Sequence, residues 1–240
     1  MKKYGLQLYS VKSHMAESVE DTLRAVAAMG YTMVEPAGFF DKTAEEFKAL
    51  CEANGLEICG SHTGFAALLD GKHEETIPYF QTIGCKRFII PGAPVANQEE
   101  LATTIAYLNQ YQPILNEAGI ELMFHNHDCE LRANSDGQFA HVEMQKNTSV
   151  QFEVDVYWAF RAGVSPLYLL EQLKERISVI HLKDGTMEHG TPLGRGDVPI
   201  ADIVKWAAAN GVDMVVENEP VAALEMEEAK ECIDYLKSLG

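Results

Sequence analysis

Short apolar runs alternate along the chain with longer stretches whose apolar residues recur every three or four positions. The first pattern fits β-strands and the second amphipathic helices. Residues 4–11 read as a first strand. The helix after it, capped by Ser18, carries Val19, Leu23, Val26 and Ala27 on one face and stops at Gly30. Residues 31–35 form a second strand. Thr43 then opens a helix as a capping box with Glu46, running through Phe47 and Leu50 to Asn54-Gly55. The third strand is 56–62, and its helix is 74–83, stopped by Gly84. The fourth strand is 86–90, closed by Pro91-Gly92, and a longer helix follows over 97–118 with Pro113 as a kink or break. The fifth strand is 120–125. A polar stretch, 128–136, and a helix over 137–145 lead to the sixth strand, 150–155, returned by helical pieces at 158–162 and 166–175. The seventh strand is 178–184. A glycine-rich loop, 185–199, is too long to be a mere connection. A helix over 200–210, a last strand at 213–217 and a helix over 225–239 complete the pattern.

Eight strands and eight helical returns in alternation imply parallel strands with right-handed crossovers. In 240 residues this fits a (β/α)8 TIM barrel, one domain over 1–240. An open doubly wound sheet would carry a glycine-rich phosphate turn after the first strand, and the sequence there is LQLYSVK.

In such a barrel the active site lies at the C-terminal strand ends. Gln7, Glu35, His62, His125, Asp155, His181 and Glu217 all fall at or near those ends. Any one of them could cap a helix or bond to nearby backbone. Together they form a set of buried polar groups that is costly unless paired or metal-bound. Asp155, His181 and Glu217, each closing its own apolar strand, form a mixed O/N ligand set for Mn2+, Mg2+, Co2+ or Zn2+. In His125-Asn-His127-Asp-Cys-Glu130, the two imidazoles share a strand face, and Glu130 can turn back as a fourth ligand. Glu153 shares a face with Asp155 one layer deeper, as a partner of the ligands or as a buried structural carboxylate. Trp158 beside the mouth offers an apolar face to a sugar, or is core. Arg195, between two glycines in LGRGD, is a fork for a phosphate or carboxylate, or part of a flexible turn. His14, His73, His141 and His189 read as surface residues.

The formal net charge of −17 argues against nucleic acid and acidic membranes as partners and permits a small polar substrate. Five scattered cysteines with no CxxC fit reduced thiols, and no signal region or membrane-length apolar run is present, so a cytoplasmic protein is expected. A homo-oligomer is compatible with all of this.

Seven stretches, GLQLYSVK, VEPAGFF, FHNHDCEL, FEVDVYW, VIHLKD, PLGRGDVP and VVENE, together resemble the xylose-isomerase-like TIM barrels. They are most similar to the sugar-phosphate isomerase/epimerase group, and the match runs almost end to end. The resemblance implies a divalent metal at the strand ends, with Asp155, His181 and Glu217 on three of the usual ligand positions. Many members carry a metal-binding Glu at the end of strand five, where this chain has His125. That resembles a subgroup with an HNHxxE pattern whose chemistry is more often lyase or hydrolase action on keto sugars. The implied reaction starts with proton removal beside a carbonyl of a sugar or keto-sugar. His125, His127 or Glu217 is the base, and Lys183 stabilises an oxyanion or protonates a leaving group. Epimerisation, isomerisation and elimination all follow from that step. Two other classes are an endonuclease-IV-like phosphodiesterase, opposed by the acidic charge, and a non-catalytic sugar-binding barrel, which would not need the ligand trio.

Overall fold

The computed structural model describes residues 3–240; Met1 and Lys2, which the single-domain reading includes, lie outside it. Among the described residues, nine strands form one parallel sheet that wraps into a barrel. In chain order they are β1 (Gly5–Gln7), β2 (Met33–Glu35), β3 (Glu57–Ile58), β4 (Ser61–His62), β5 (Arg87–Ile90), β6 (Glu121–His125), β7 (Gln151–Asp155), β8 (Val179–Leu182) and, after a small antiparallel hairpin of β9 (Asp184–Gly185) and β10 (Gly190–Thr191), β11 (Asp213–Val216). The order around the barrel is β3-β2-β1-β11-β8-β7-β6-β5-β4. β3 and β4 are two halves of the predicted third strand, and a parallel bridge from Ala37, just past β2, to His62 in β4 closes the ring.

Hydrogen bonding to the β2 segment continues on both sides of the interruption, the Cys59 N–H donating to the Val34 carbonyl at 3.0 Å and the His62 N–H to the Pro36 carbonyl at 2.9 Å. A Cβ on Gly60 would stand 2.9 Å from Glu35 Oε2 and 2.7 Å from Ile89 Cδ1. Glycine at this position therefore leaves room for the neighbouring carboxylate.

The helices α1 (Lys12–Glu17), α2 (Val19–Met29), α3 (Ala44–Ala53), α4 (His73–Ile83), α5 (Gln98–Glu117), α6 (Ala140–Asn147), α7 (Val156–Arg161), α8 (Pro166–Leu173), α9 (Ile200–Asn210) and α10 (Glu225–Ser238) surround the sheet. The Thr43–Glu46 capping box forms as expected, and Gly30, Gly84 and Gly211 end their helices in the left-handed region. Two expectations need correction. The first strand stops at Gln7, because the Gln7 side chain accepts the Tyr9 N–H and turns 8–11 into a 3-10 helix. Pro113 neither breaks nor splits α5. Pro113 and Asn109 both lie on the exposed side, where water can take the freed carbonyl bond.

Period-two alternation layers the barrel interior. Met33, Cys59, Ile89, Met123, Val179 and Val215 make an apolar plug across its middle. At the N-terminal end, Arg87 Nη1 donates to Asp213 Oδ2 at 2.7 Å and to the Cys59 carbonyl at 2.9 Å, and Arg87 Nε donates to Ser178 Oγ at 3.0 Å. At the C-terminal end the inward positions are ionisable. After β2, Phe40 and Asp41 both adopt positive φ, 54° and 57°. The five cysteines are unpaired. No helix among the described residues is long and apolar enough to cross a membrane.

Candidate active site at the barrel mouth

Most of the strands, β5 excepted, deliver an inward side chain at or near their C-terminal ends to one polar network. His181, ending the inward row of β8, is fully buried at its centre. Its Nε2 lies 2.8 Å from Glu35 Oε1 and its Nδ1 lies 2.7 Å from Glu217 Oε2. Glu153 Oε2 lies 2.7 Å from His62 Nε2, 3.3 Å from His181 Nε2 and 3.3 Å from His125 Nδ1. Gln7 Nε2 donates to Glu35 Oε1 at 2.7 Å. Gln7 and Glu35 are wholly buried within this network.

Burial works against every charge here, and neighbours decide which survive. Burial opposes the His181 imidazolium, but Glu153 and Glu35 outweigh it and hold its pKa well above the usual value. Burial also opposes ionisation of Glu153 and Glu217. Contacts to His181 and other imidazoles reverse this for Glu153, and Lys183 with His181 reverses it for Glu217, so both stay well below the carboxylate range. Glu35 is pushed up by burial and by Glu153. Burial brings Asp155 up to about 7 and drives His125 down to about 3. Lys183, buried in the mouth, is opposed by desolvation. Glu217, Asp155 and Glu219 prevail and raise its pKa, so it stays an ammonium.

Two overlapping groups of four side chains have donor atoms within 4.8 Å of one another: His125, Asp155, His181 and Glu217, and His62, His125, Glu153 and His181. Asp155 Oδ1 accepts the Trp158 N–H at 2.9 Å, while Asp155 Oδ2 is buried without a partner. Glu35 Oε2 and Glu153 Oε1 are likewise unpaired. Carboxylate oxygens left this way are costly unless a cation joins them. The mixed imidazole and carboxylate donors of the first group, at the strand ends, fit a divalent transition metal.

The remaining sequence candidates separate. His127 is half-buried and borders the mouth, 5.1 Å from the His125 ring and 5.4 Å from Trp158. Glu130 is not brought to either group. Its Oε2 accepts the His127 N–H at 2.8 Å and faces Cys129 Sγ at 3.2 Å, clasping its own loop. Arg195 points away, exposed and paired with Glu231. The LGRGD amides do converge on an anion, but it is Asp184. Its Oδ1 accepts from Gly185 N and Val198 N at 2.8 and 3.1 Å, and its Oδ2 from Gly194 N and Gly196 N at 2.8 and 3.1 Å. A Cβ on Gly196 would stand 2.3 Å from Asp184 Oδ1, so only glycine lets this loop close on the carboxylate. His141, expected at the surface, is buried on α6 against Phe152.

A cavity of about 660 Å3 opens above the network, lined by His62, His125, His127, Trp158, Glu217 and Glu219 among others. A larger groove of about 910 Å3, running beside Met15–Glu20 and Phe40–Leu50, contains none of the network. Sequence reasoning missed Glu219, which lies past the strand end and pairs with Lys183. It also underrated Glu153, whose three imidazole neighbours come from other strands.

Among solved structures, the chain is similar to a sugar phosphate isomerase/epimerase from Parabacteroides distasonis ATCC 8503, with a TM-score of 0.85 and 27% identity, covering 99% of this chain and 98% of that one. A 3-keto-D-glucoside 4-epimerase from E. coli has a TM-score of 0.76 at 15% identity, covering 99% and 100% of the two chains. A probable 3-DHS dehydratase from Bacillus anthracis has a TM-score of 0.77 at 14% identity, covering 98% of each. Identities this low in the last two speak to the fold alone. No curated protein matches by sequence. Residues 23–239 match one family along nearly the whole barrel, and the chain belongs to it: the xylose isomerase-like TIM barrels.

Proposed function

We propose that this chain is a divalent-metal-dependent enzyme of the sugar isomerase/epimerase type, which removes a proton beside a carbonyl of a sugar or keto-sugar. The observation that carries the reading is the group His125, Asp155, His181 and Glu217 at the floor of an open cavity, with Asp155 Oδ2 unpaired. These four would hold the ion, with His125 taking the position expected for Glu130. The chemistry a bound divalent cation supplies at such a donor set is polarisation of a carbonyl and its neighbouring hydroxyl.

The chain's own groups supply the rest. Glu35 and Glu153 face the imidazole nitrogens and fix the ring orientations of His181 and His62. His127 borders the cavity, and among the described residues its ring has no hydrogen-bond partner, so it is the free imidazole for proton removal. Glu217, which also faces the cavity, is the second candidate base. The Lys183 ammonium stands 4.6 Å from the Trp158 ring and steadies developing negative charge. Because Lys183 is held protonated and also borders a side cavity, it can donate to a departing group. That favours elimination from a keto-glycoside as a second reading.

The test has two readouts. Asp155→Asn, His181→Gln and Glu217→Gln should each lose bound metal on dialysis against Mn2+, Co2+ or Zn2+, while Glu130→Gln keeps it. Full occupancy in all three would remove the site. With a panel of 3-keto-sugars in deuterated water, turnover should carry deuterium to the carbon beside the carbonyl or give an unsaturated keto product. His127→Gln should slow that turnover at least tenfold, about 1.4 kcal/mol in barrier, with metal retained.

A further inference from the structure

Of the three imidazoles that line the mouth cavity, His62 is the one locked at one edge of its ring and open at the other. Its Nε2 lies 2.7 Å from Glu153 Oε2 and 3.2 Å from Glu35 Oε1. The ring stacks on His181, with centroids 5.1 Å apart and planes 20° apart, and meets the His125 ring edge-on at 4.9 Å. Turning the ring over would take Nε2 away from two buried carboxylates, so its orientation is fixed. The other nitrogen, Nδ1, has no partner among the described residues. It is also not one of the unpartnered atoms sealed from solvent, a set that includes His125 Nδ1. The His62 side chain is 9% exposed and borders the cavity.

A nitrogen presented in this way suits a hydroxyl group. In the neutral ring the Nε2 proton goes to Glu153 and Nδ1 accepts; in the charged ring both nitrogens donate. A hydroxyl answers either state, because it donates and accepts. The strand order puts β4 opposite β8 in the closed ring, so His62 stands across the mouth from the strand that leads into Lys183. A hydroxyl held there anchors the sugar on the side away from the ammonium. Because the ring is already held, this contact immobilises no further side chain.

We propose that His62 is a specificity-determining residue: its Nδ1 hydrogen-bonds one hydroxyl group of the sugar, and Glu153 holds the ring for that contact. This rests on the reading of the site as one for sugars, and it adds a residue that selects among them by their hydroxyl pattern.

Calorimetric titration of the Mn2+-loaded protein with the methyl β-glycosides of glucose, galactose, mannose and xylose finds the tightest parent. Its monodeoxy analogues then remove one hydroxyl at a time. His62→Gln keeps a nitrogen near the place of Nε2 for Glu153 and removes Nδ1. It should retain bound Mn2+ and weaken the parent about fivefold, the worth of one hydrogen bond. One deoxy analogue should show the same loss on the wild type and no further loss on the variant, because both changes remove the same bond. If the variant weakens the parent and every analogue alike, or weakens none of them, or loses the metal, the contact is overturned while the sugar reading stands. If no glycoside binds the wild type, the sugar reading falls and the contact with it. A second measurement uses the wild type alone. Carbethoxylation by diethyl pyrocarbonate, located by mass spectrometry, should mark His62, and the parent glycoside should slow it severalfold. A His62 ring left unmarked, or marked equally fast with the glycoside bound, overturns the contact even where the variant fails to fold.

Discussion

The fully buried His141 makes a quantitative prediction about acid stability. Its imidazole packs on Phe152, with ring centroids 4.6 Å apart, and its Nδ1 lies 2.8 Å from Gln145 Nε2. With the amide donating, the ring proton sits on Nε2, which has no partner. Burial, with the Arg176 guanidinium adding, pushes its pKa down to about 4. In the unfolded chain the value returns to about 6.5. Between those two pH values the unfolded state binds a proton that the folded state refuses. Stability from this residue is therefore complete above the unfolded pKa and lost as pH falls towards the folded one. The full gap corresponds to about 3 kcal/mol, against a total of about 5–15 kcal/mol for a typical domain. His141→Phe keeps a ring beside Phe152 and removes the titration. Urea unfolding of both proteins, with EDTA present to keep metal out, gives the two stability curves. From pH 7.5 to pH 5.0 the variant should gain about 2 kcal/mol relative to the wild type. A difference between the two that stays constant over that range refutes the reasoning.

Two further substitutions test the ends of the barrel. Asp184→Asn removes the charge that four backbone amides share and turns an NH2 towards some of them; it should cost about 3 kcal/mol and expose 185–199 to proteolysis, and unchanged stability and cleavage would count against the clamp. Arg87→Met strips the donors from Asp213, Ser178 and the Cys59 carbonyl. It should lower stability by about 2–3 kcal/mol with metal binding intact, and a loss under about 1 kcal/mol would mean that solvent replaces those bonds freely.

Asp155, His181 and Glu217 were legible because each ends its own apolar run, and strand ends in such a barrel share one rim. The parity of a strand also placed Glu153 inward. Parity says nothing about partners on other strands, so the convergence of His62, His125 and His181 on Glu153 was not readable. The HNHDCE stretch suggested that Glu130 turns back to the metal. A carboxylate three residues past an amide can also clasp that amide, and this local bond won. The glycines of LGRGD correctly signalled amides gathered around an anion, but the sequence cannot say that the anion is Asp184, ten residues before Gly194. The 3-10 turn after Gln7 comes from a side chain on the rim, which a strand propensity does not register.

The Asp184 clamp also decides which part of the rim can move. Opening 185–199 would expose a carboxylate held by four amides, so that segment should move as one body with the end of β8 next to Lys183. Its Gly194, Gly196 and Val198 amides should exchange hydrogen slowly, although they lie in a surface loop. Across the mouth, Ala37, Gly38 and Phe39 border the cavity, and the next two residues hold left-handed dihedrals unfavourable to side chains by about 1–3 kcal/mol each. The rim thus has an anchored flank and a tensioned one. Amides at 37–41 should accordingly exchange hydrogen ahead of those at 194–198.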